Sequence, residues 1–211
     1  MKVESLSIEG ANNQNEDRLA VQFVGKHWLV AVIADGMGGL SLGDLAAEIV
    51  AQSIIKYLAA NYHGDNERDL LHQAFEYADG ELRCASIDNR SNMGAAVAVV
   101  IVKEKQLYCT WQGNVRVYVL HNGKLNMLTK DHIANLGYGN TALTRCIKGS
   151  GLRNDVPFLI HKLYKGDIAL ICTDGLYMAA ENTIGRKTLD EIKTKLLLSN
   201  DDASVIQITI D

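Results

Sequence analysis

Short apolar runs separated by brief polar stretches dominate this chain. The runs at 28–34, 94–102 and 168–173 are rich in valine, isoleucine and alanine, and their β-branched residues favour strands. The polar stretches at 103–105 and 121–124 predict tight turns, and the second contains Asn-Gly, a strong hairpin signal. The pattern predicts antiparallel sheet, with strands over 3–8, 19–24, 28–34, 94–102, 106–112, 115–120, 125–128, 158–163, 168–173 and 204–210.

Two longer segments, 43–58 and 67–86, have apolar residues at helical spacing. This periodicity predicts amphipathic helices that pack against the sheets. Asp44 near the start of the first helix suits the positive end of the helix dipole. Shorter helices are predicted around 176–181 and 189–198, and the stretch 129–156, rich in Gly, Asn and Thr, is predicted to be irregular.

The composition suits a single domain over residues 1–211. Hydrophobic residues make up 47% of the chain, enough for a sizeable core, and the one proline, Pro157, does not mark a linker. The formal net charge of −4 argues against a nucleic-acid-binding surface. No apolar run approaches the roughly 20 residues of a membrane span, and the first residues lack a signal-peptide core. We therefore expect a cytoplasmic protein that binds neither nucleic acid nor membranes.

Cysteine and histidine show no spacing typical of a metal or catalytic site. The cysteines at 84, 109, 146 and 172 are scattered and form no CxxC pair, which predicts free thiols. The histidines are dispersed, and most have polar neighbours that favour the surface. No GxSxG motif offers a serine nucleophile.

Aspartates at the ends of strands carry the candidate chemistry. The run 28–34 ends in Asp35, and Gly36, Gly38 and Gly39 follow within four residues. Glycines there allow a sharp turn and a close backbone approach, and a glycine carbonyl can bind a hard cation. The run 168–173 ends in the same way, in Asp174. An ordinary Asp-Gly turn is the alternative interpretation of either stretch by itself.

Two further acidic positions extend this pattern. Asp17, preceded by Glu16, opens the second predicted strand, and Asp201 lies just before the last. Carboxylates that converge at one rim repel each other unless a cation lies between them, and oxygen ligands suit Mg²⁺ or Mn²⁺. Two close ions would activate a bridging water and bind phosphoryl oxygens. Solvated turns remain the alternative if the carboxylates do not converge.

A set of short motifs runs nearly end to end and resembles the metal-dependent serine/threonine protein phosphatases, the type 2C or PPM family, in their compact bacterial form. Each motif is weak alone, but their order and spacing together are specific. They are Asn15-Glu16-Asp17-Arg18, Ala34-Asp35-Gly36-Met37-Gly38-Gly39, Gly43-Asp44-Leu45-Ala46, Met93-Gly94-Ala95-Ala96, Leu128-Thr129-Lys130-Asp131-His132, Leu143-Thr144-Arg145, Thr173-Asp174-Gly175-Leu176 and Asp201-Asp202-Ala203-Ser204.

This resemblance implies an α+β fold, a four-layer α-β-β-α sandwich of two antiparallel sheets flanked by helix pairs. It also implies two Mn²⁺ or Mg²⁺ ions at one rim. Asp35, Asp174 and Asp201 would hold one ion, and Asp35, the Gly36 carbonyl and Asp17 the other, with Glu16 as the alternative to Asp17. Asp35 and Asp174 would act in catalysis through the metal-bridging water, which attacks phosphoserine or phosphothreonine of a protein substrate.

The chain departs from the family pattern in four places. Asn12 and Asn13 stand where an arginine usually binds the substrate phosphate, and an amide cannot replace that bidentate contact. Asn114 and Met178 stand where aspartates usually bind a third metal, so the third site is predicted to be absent. The segment 132–141 is shorter than the usual flap.

Two functions are therefore compatible with the resemblance. The first is an active phosphatase with altered substrate preference, acting as a monomer on phosphorylated proteins. The alternative is a catalytically weak or inactive phosphatase-like module that binds a phosphoprotein or a regulatory partner. The four acidic positions favour activity, since convergent buried carboxylates without metal are unfavourable.

Overall fold

The computed structural model describes residues 1–11, 14–25, 28–37, 42–62, 66–137, 140–152, 155–184, 188–196 and 200–211, without the side chains of 140 and 195. The predictions for Asn12, Asn13, His27, Gly38, Gly39 and His63, and for positions 138–139 of the short flap, lie outside these residues.

Apart from one hairpin, the strands and helices follow one another in the order that the apolar pattern predicts. The strands are β1 (Lys2–Ile8), β2 (Asp17–Val24), β3 (Trp28–Gly36), β4 (Ala95–Lys103), β5 (Gln106–Gln112), β6 (Arg116–His121), β7 (Lys124–Met127), β8 (Ile133–Gly137), β9 (Asn140–Leu143), β10 (Phe158–Lys162), β11 (Ile168–Cys172) and β12 (Ala203–Thr209). The helices are α1 (Gly43–Asn61), α2 (Glu67–Asp88), α3 (Asp174–Ala180) and α4 (Leu189–Leu196).

In the described part of the chain, ten of these strands form two antiparallel sheets. The first sheet has the order β1-β12-β11-β6-β7, and the second has the order β10-β5-β4-β3-β2. Strands β8 and β9 pair with each other as a separate hairpin. Strands β1 and β12, near the two ends of the chain, pair with each other over their whole length, from Lys2 opposite Thr209 to Ile8 opposite Ala203.

The two sheets pack face to face because their central strands are apolar on both sides. In β3, Leu29, Ala31 and Ile33 belong to the cluster between the sheets, whereas Val30 and Val32 belong to the cluster under α1 and α2. This is the two-residue alternation of a strand buried on both faces. A third apolar cluster joins the outer face of the first sheet to α3 and α4.

The layers are therefore helix pair, sheet, sheet, helix pair, and the predicted α+β four-layer sandwich is confirmed. The β8–β9 hairpin differs from prediction, since it lies inside the stretch expected to be irregular. Its residues are largely exposed, so no burial imposes an alternating pattern on them. No helix in the described residues is long and apolar enough to cross a membrane.

Candidate metal centre

Two aspartates from neighbouring strands face each other at one rim of the sandwich. Asp17 begins β2 and pairs directly with Asp35 near the end of β3. Side chains directly opposite in an antiparallel pair have Cβ atoms about 4.5–5.5 Å apart, and like charges there are destabilising. Asp35 lies two residues after Ile33, so both face the space between the sheets. The fold therefore directs two carboxylates into this rim.

The first sheet supplies the other carboxylates of the rim. Asp174 follows β11, and Asp201 precedes β12, which pairs with β11. Thr173 joins the two sheets, because its hydroxyl donates to the Asp17 carboxylate over 2.9 Å and accepts the Ser204 N–H over 2.9 Å. This hydrogen-bonded chain fixes where the Asp17 carboxylate lies relative to the ends of β11 and β12.

The carboxylates at this rim have raised pKa values, which means that ionising all of them together is unfavourable. Burial raises the pKa of Asp17 to about 7, despite the hydrogen bond from Thr173. Burial and then the charges of Asp17 and Asp174 raise the pKa of Asp35 well above its ordinary value. Burial also raises the pKa of Asp174 and of Asp201. Such a cluster is stabilised by protonation or by a bound cation.

At the glycines that follow these aspartates, the backbone of another segment packs too closely to leave room for a side chain. A Cβ on Gly36 would lie 2.3 Å from the Gly43 carbonyl oxygen at the start of α1. A Cβ on Gly175 would lie 2.2 Å from the carbonyl oxygen of Asp202. The predicted close approach is therefore present, and its partner here is the protein's own chain. Each Asp-Gly pair is thus packed against another segment at the rim, the start of α1 for Gly36 and the residues before β12 for Gly175.

Gly175→Ala is expected to destabilise the protein by about 1–3 kcal/mol, the usual cost of forcing a methyl into packed surroundings. The added Cβ would meet backbone of residues 201 and 202, which cannot rotate away as a side chain does. Thermal unfolding in EDTA measures the effect, since it excludes any contribution from metal binding.

Gly80→Ala is the matched control for that substitution. Gly80 lies within α2, and a Cβ there would meet nothing within 4 Å. Alanine at an open helical position stabilises by about 0.5–1 kcal/mol. A Gly175→Ala protein as stable as the Gly80→Ala protein would contradict the packing argument.

Glu16 and Asp17 have different surroundings although they are adjacent. The Glu16 carboxylate lies at the start of α1, where a Cβ on Gly43 would come within 2.6 Å of it. Asp17 instead bonds Thr173 across the sheets. Consecutive residues in extended chain point to opposite sides, which explains the separation. Burial, followed by the charges of Asp202 and Asp44, raises the pKa of Glu16.

Asp202 has a role that the sequence reasoning did not assign. Its carboxylate accepts the backbone N–H groups of Gly10 and Glu16, each over 2.7 Å. The loop that leads into β2 is therefore held against the loop that leads into β12. The Asp201-Asp202 pair was visible in the sequence, but which carboxylate faces which loop depends on the tertiary structure.

The donor chemistry of this rim fits a hard divalent cation. Its side chains are carboxylates, and the buried Asp17 directly opposes the partly buried Asp35, so a cation between them relieves their repulsion. Among the described residues, no three carboxylate, histidine or cysteine side chains form a ready-made cage. Asp17 and Asp174 accept hydrogen bonds from Thr173 and Asn114 instead. The fit rests on the donor set and on the opposed buried charges.

The sequence as a whole matches a known family. The family described as Protein phosphatase 2C matches residues 7–204, which is nearly the entire chain. The chain belongs to the protein phosphatase 2C family. This confirms the resemblance found in the sequence motifs.

Named relatives of this family member come from bacteria. The chain is 26% identical over 208 residues to the "Serine/threonine phosphatase stp" of Listeria monocytogenes, covering 89% of this chain and 81% of the relative. It is 24% identical over 201 residues to a "Putative protein phosphatase" of Mycoplasma pneumoniae, covering 82% and 77%.

Solved structures of similar fold span the whole chain. The serine/threonine phosphatase of S. agalactiae superposes with a TM-score of 0.85 at 20% identity, covering 100% of this chain and 99% of that one. The catalytic domain of the phosphatase PstP, solved in complex with two manganese ions, gives a TM-score of 0.82 at 20% identity and covers 100% and 98%. At such identities the comparison establishes the fold.

Two departures of this protein phosphatase 2C member lie near Asp174, one bonded to its carboxylate and one four residues later on α3. The Asn114 amide donates to the Asp174 carboxylate over 2.8 Å, and its own carbonyl oxygen is buried with no hydrogen-bond partner. Met178 is 74% exposed on α3, which leaves its thioether in solvent. Neither side chain carries a charge, and the predicted absence of a third metal site stays a prediction.

A second feature missed by sequence reasoning is an arginine network beside Asp174. The Arg116 guanidinium bonds both Asp131 oxygens, over 2.8–3.2 Å, and reaches Glu181 over 3.0 Å. It also lies over the Tyr177 ring, 3.7 Å from the centroid. Tyr177 belongs to α3, whose first residue is Asp174, so the network ties that helix to β6 and to the segment before β8.

Proposed function

We propose that this chain is a metal-dependent phosphatase that hydrolyses phosphoserine and phosphothreonine in proteins. The observation that carries the proposal is the opposed pair Asp17 and Asp35 at the rim of a protein phosphatase 2C fold. An opposed pair of this kind, with Asp17 buried and Asp35 partly buried, is costly to keep without a bound cation. A divalent cation is therefore the cofactor, and Mn²⁺ or Mg²⁺ suits the all-oxygen donor set.

The ligand assignment follows the positions of the strand ends. Asp35, Asp174 and Asp201 are proposed to hold one ion. Asp35, the Gly36 carbonyl and Asp17 are proposed to hold the second, in preference to Glu16, whose carboxylate lies at the start of α1. Asp35 contributes to both sets because its carboxylate experiences the charges of Asp17, Asp174 and Asp201 together.

The chain's own groups orient these ligands. When bound, the two ions supply a water nucleophile active at neutral pH and neutralise the phosphoryl oxygens. The Thr173 hydroxyl holds one oxygen of Asp17, and the Asn114 amide holds one oxygen of Asp174. The Ser204 hydroxyl also bonds Asp17, and the backbone N–H groups of Asp174 and Gly175 also bond the Asp174 carboxylate, so hydrogen bonds from neighbouring groups orient both carboxylates.

Proteins phosphorylated on serine or threonine are the proposed substrates, as the names of the Listeria relatives indicate for those proteins. A phosphatase-like binding module with little turnover is the less favoured alternative, because the carboxylates are retained at the rim. A monomeric state, a cytoplasmic location and the lack of nucleic-acid or membrane partners stay predictions.

Hydrolysis of p-nitrophenyl phosphate and of a phosphothreonine peptide tests this function. The purified chain is assayed with Mn²⁺, with Mg²⁺ and with EDTA, and calorimetry measures metal binding in parallel. We expect turnover with either metal, fastest on one of them, and none in EDTA. Metal binding without turnover would favour the binding module, and turnover that persists in EDTA would contradict a metal mechanism.

Asn114→Asp combined with Met178→Asp is expected to raise turnover several-fold at saturating Mn²⁺. The new carboxylates would restore an acidic pair on either side of Asp174, at the positions predicted to have lost a third metal site. In EDTA the same protein should unfold at lower temperature, since Asn114→Asp replaces a hydrogen bond to Asp174 with a like charge. Kinetics and thermal unfolding across a Mn²⁺ titration give both readouts.

The two single variants separate the contributions of Asn114 and Met178. A double variant whose Mn²⁺ titration is identical to that of the unchanged protein would show that a missing third site does not limit activity.

A further inference from the structure

A pocket with a basic lining lies beside the candidate metal centre. Its volume is about 500 Å³, within the range of ligand sites. Met37, which follows Gly36 and bonds Gly94 through its backbone N–H, forms one side. Most of the other described lining residues belong to the segment 143–151, which we call the 143–151 wall. The pocket thus opens directly next to the strand end that carries Asp35.

The pocket is positively charged although the chain has a net charge of −4. Arg145 and Lys148 line it, and the described lining residues include no carboxylate. Within the described chain, neither cation forms an ion pair. The Arg145 guanidinium donates one hydrogen bond, to the backbone carbonyl of Asp155 over 3.4 Å. The nearby Asp79 carboxylate is buried and accepts backbone N–H groups of the 143–151 segment, that of Lys148 among them. Because no ion pair to either side chain is found among the described residues, an anionic ligand in the pocket could pair with both cations.

The 143–151 wall is rigidly built from both sides. Ile147 bridges Ala95 through two backbone hydrogen bonds of 2.9 and 3.0 Å. On the other side, the buried Asp79 of α2 accepts the N–H groups of Gly149 and Gly151, each over 2.8 Å. These contacts fix the backbone at Arg145 and Lys148 in the unbound protein, so ordering on binding is limited largely to the two side chains.

The remaining lining suits a peptide. Met37, Met93 and Leu143 contribute apolar surface, whereas Asn92 and Gln112 contribute neutral polar groups. A volume of about 500 Å³ exceeds that needed for one phosphate and accommodates a few side chains.

We propose that this pocket binds a second anionic group of the substrate, a carboxylate or an additional phosphate near the phosphoresidue that is hydrolysed. The inference rests on the proposed phosphatase function and adds a substrate preference to it. Arg145 and Lys148 are the specificity-determining residues. When the phosphoresidue of a peptide lies at the rim, the residues next to it in the peptide lie in the pocket.

The strand register sets the spacing between the two groups. Ile147 pairs with Ala95, and Ala95 pairs with Gly36 on its other side. Two strand spacings place Ile147 about 10 Å from Gly36. An extended peptide advances about 3.3–3.6 Å per residue. The second anion is therefore expected about two to four residues from the hydrolysed phosphoresidue.

Phosphothreonine peptides that differ only in one flanking residue test the proposal. One set carries Asp at single positions up to four residues on either side, a second carries phosphoserine there, and the reference carries Asn. We expect kcat/KM for the best acidic peptide to exceed the Asn reference about tenfold, as partly desolvated charge contacts allow. The phosphoserine set separates a second phosphate from a carboxylate as the preferred anion.

Lys148→Met is the main variant, because it removes the charge and keeps the backbone. The measured quantity is the ratio of kcat/KM for acidic and Asn peptides, which cancels any effect common to both. We expect this ratio to fall to about twofold or less in Lys148→Met and to fall below one in Lys148→Glu. The matched control is Lys124→Met on β7, in the other sheet, which should keep both the ratio and the activity on p-nitrophenyl phosphate.

Three outcomes distinguish the proposals. Equal turnover of acidic and Asn peptides by the unchanged protein would overturn the basic subsite and leave the phosphatase function intact. The same preference in Lys148→Met as in the control would also overturn it. If no phosphopeptide is hydrolysed, the proposed phosphatase function is wrong. The subsite is then tested by peptide binding in EDTA, measured by fluorescence anisotropy with the same variants. Tighter binding of acidic than of Asn peptides that is lost in Lys148→Met would support it, and equal binding would overturn it.

Discussion

Asp35→Asn is expected to abolish metal-dependent hydrolysis, with turnover on Mn²⁺ reduced by about a thousandfold or more. Asp35 faces Asp17 in the strand register and is the carboxylate on which the other acidic charges of the rim act. The same change should raise the stability of the metal-free protein by about 1–2 kcal/mol, because it removes one of two opposed buried charges. Activity should fall while stability rises, because the same carboxylate binds the metal and repels Asp17 when no metal is bound.

Differential scanning of both proteins in EDTA and in Mn²⁺ measures the stability effect. The unchanged protein should unfold at higher temperature in Mn²⁺, since a ligand that binds only the folded state stabilises it, and the variant should lose most of that shift. Asp88→Asn, at the exposed end of α2, is the control for the chemical change. Full activity in Asp35→Asn would refute the assignment of the metal ligands.

Arg116→Met is expected to lower the free energy of unfolding by about 2–4 kcal/mol, the usual effect of removing one partner of a largely buried ion pair. The Asp131 side chain is only 12% exposed and would lose all three of its hydrogen bonds from the guanidinium. Glu181 would lose a bond as well. The loosened α3 begins at Asp174, so we also expect a smaller stabilisation by Mn²⁺.

Urea unfolding with and without Mn²⁺ measures both effects. Lys2→Met is the control, because the Lys2–Glu4 pair is exposed and such pairs contribute at most about 1 kcal/mol. Adding Asp131→Asn to Arg116→Met should recover part of the loss, since Asp131 would no longer be a largely buried carboxylate without its cation, whereas the Glu181 side chain is 46% exposed. Additive losses in that double variant would mean that the pair does not act as a unit.

The strands and helices could be predicted from the sequence because their burial imposes local patterns. β3 and β4 lie in the middle of the second sheet, and their apolar runs follow from burial on both faces. The β8–β9 hairpin escaped prediction because its residues are exposed. Asp35 and Asp174 were identified as site residues because each ends an apolar run and precedes a glycine, a pattern contained within a few residues.

The partners of those aspartates depend on contacts between distant parts of the chain. Thr173 bonds Asp17 across 156 positions, and Asp202 holds the backbone of Gly10 from 192 positions away. Asp79 fixes the 143–151 wall from the middle of α2. A helix and a strand each leave a local period in the sequence, but a hydrogen bond between two loops leaves none.

The sequence by itself thus determined the elements other than the β8–β9 hairpin, their order and the positions of the acidic strand ends, because local periodicity and turn chemistry encode them. Only the tertiary structure decided that Asp17 stands opposite Asp35 and that Glu16 lies instead at the start of α1. It also decided that the cations Arg145 and Lys148 line a pocket beside them. The physical reason is that strand register and sheet packing bring together residues that are far apart along the chain, and such contacts leave no local pattern in the sequence.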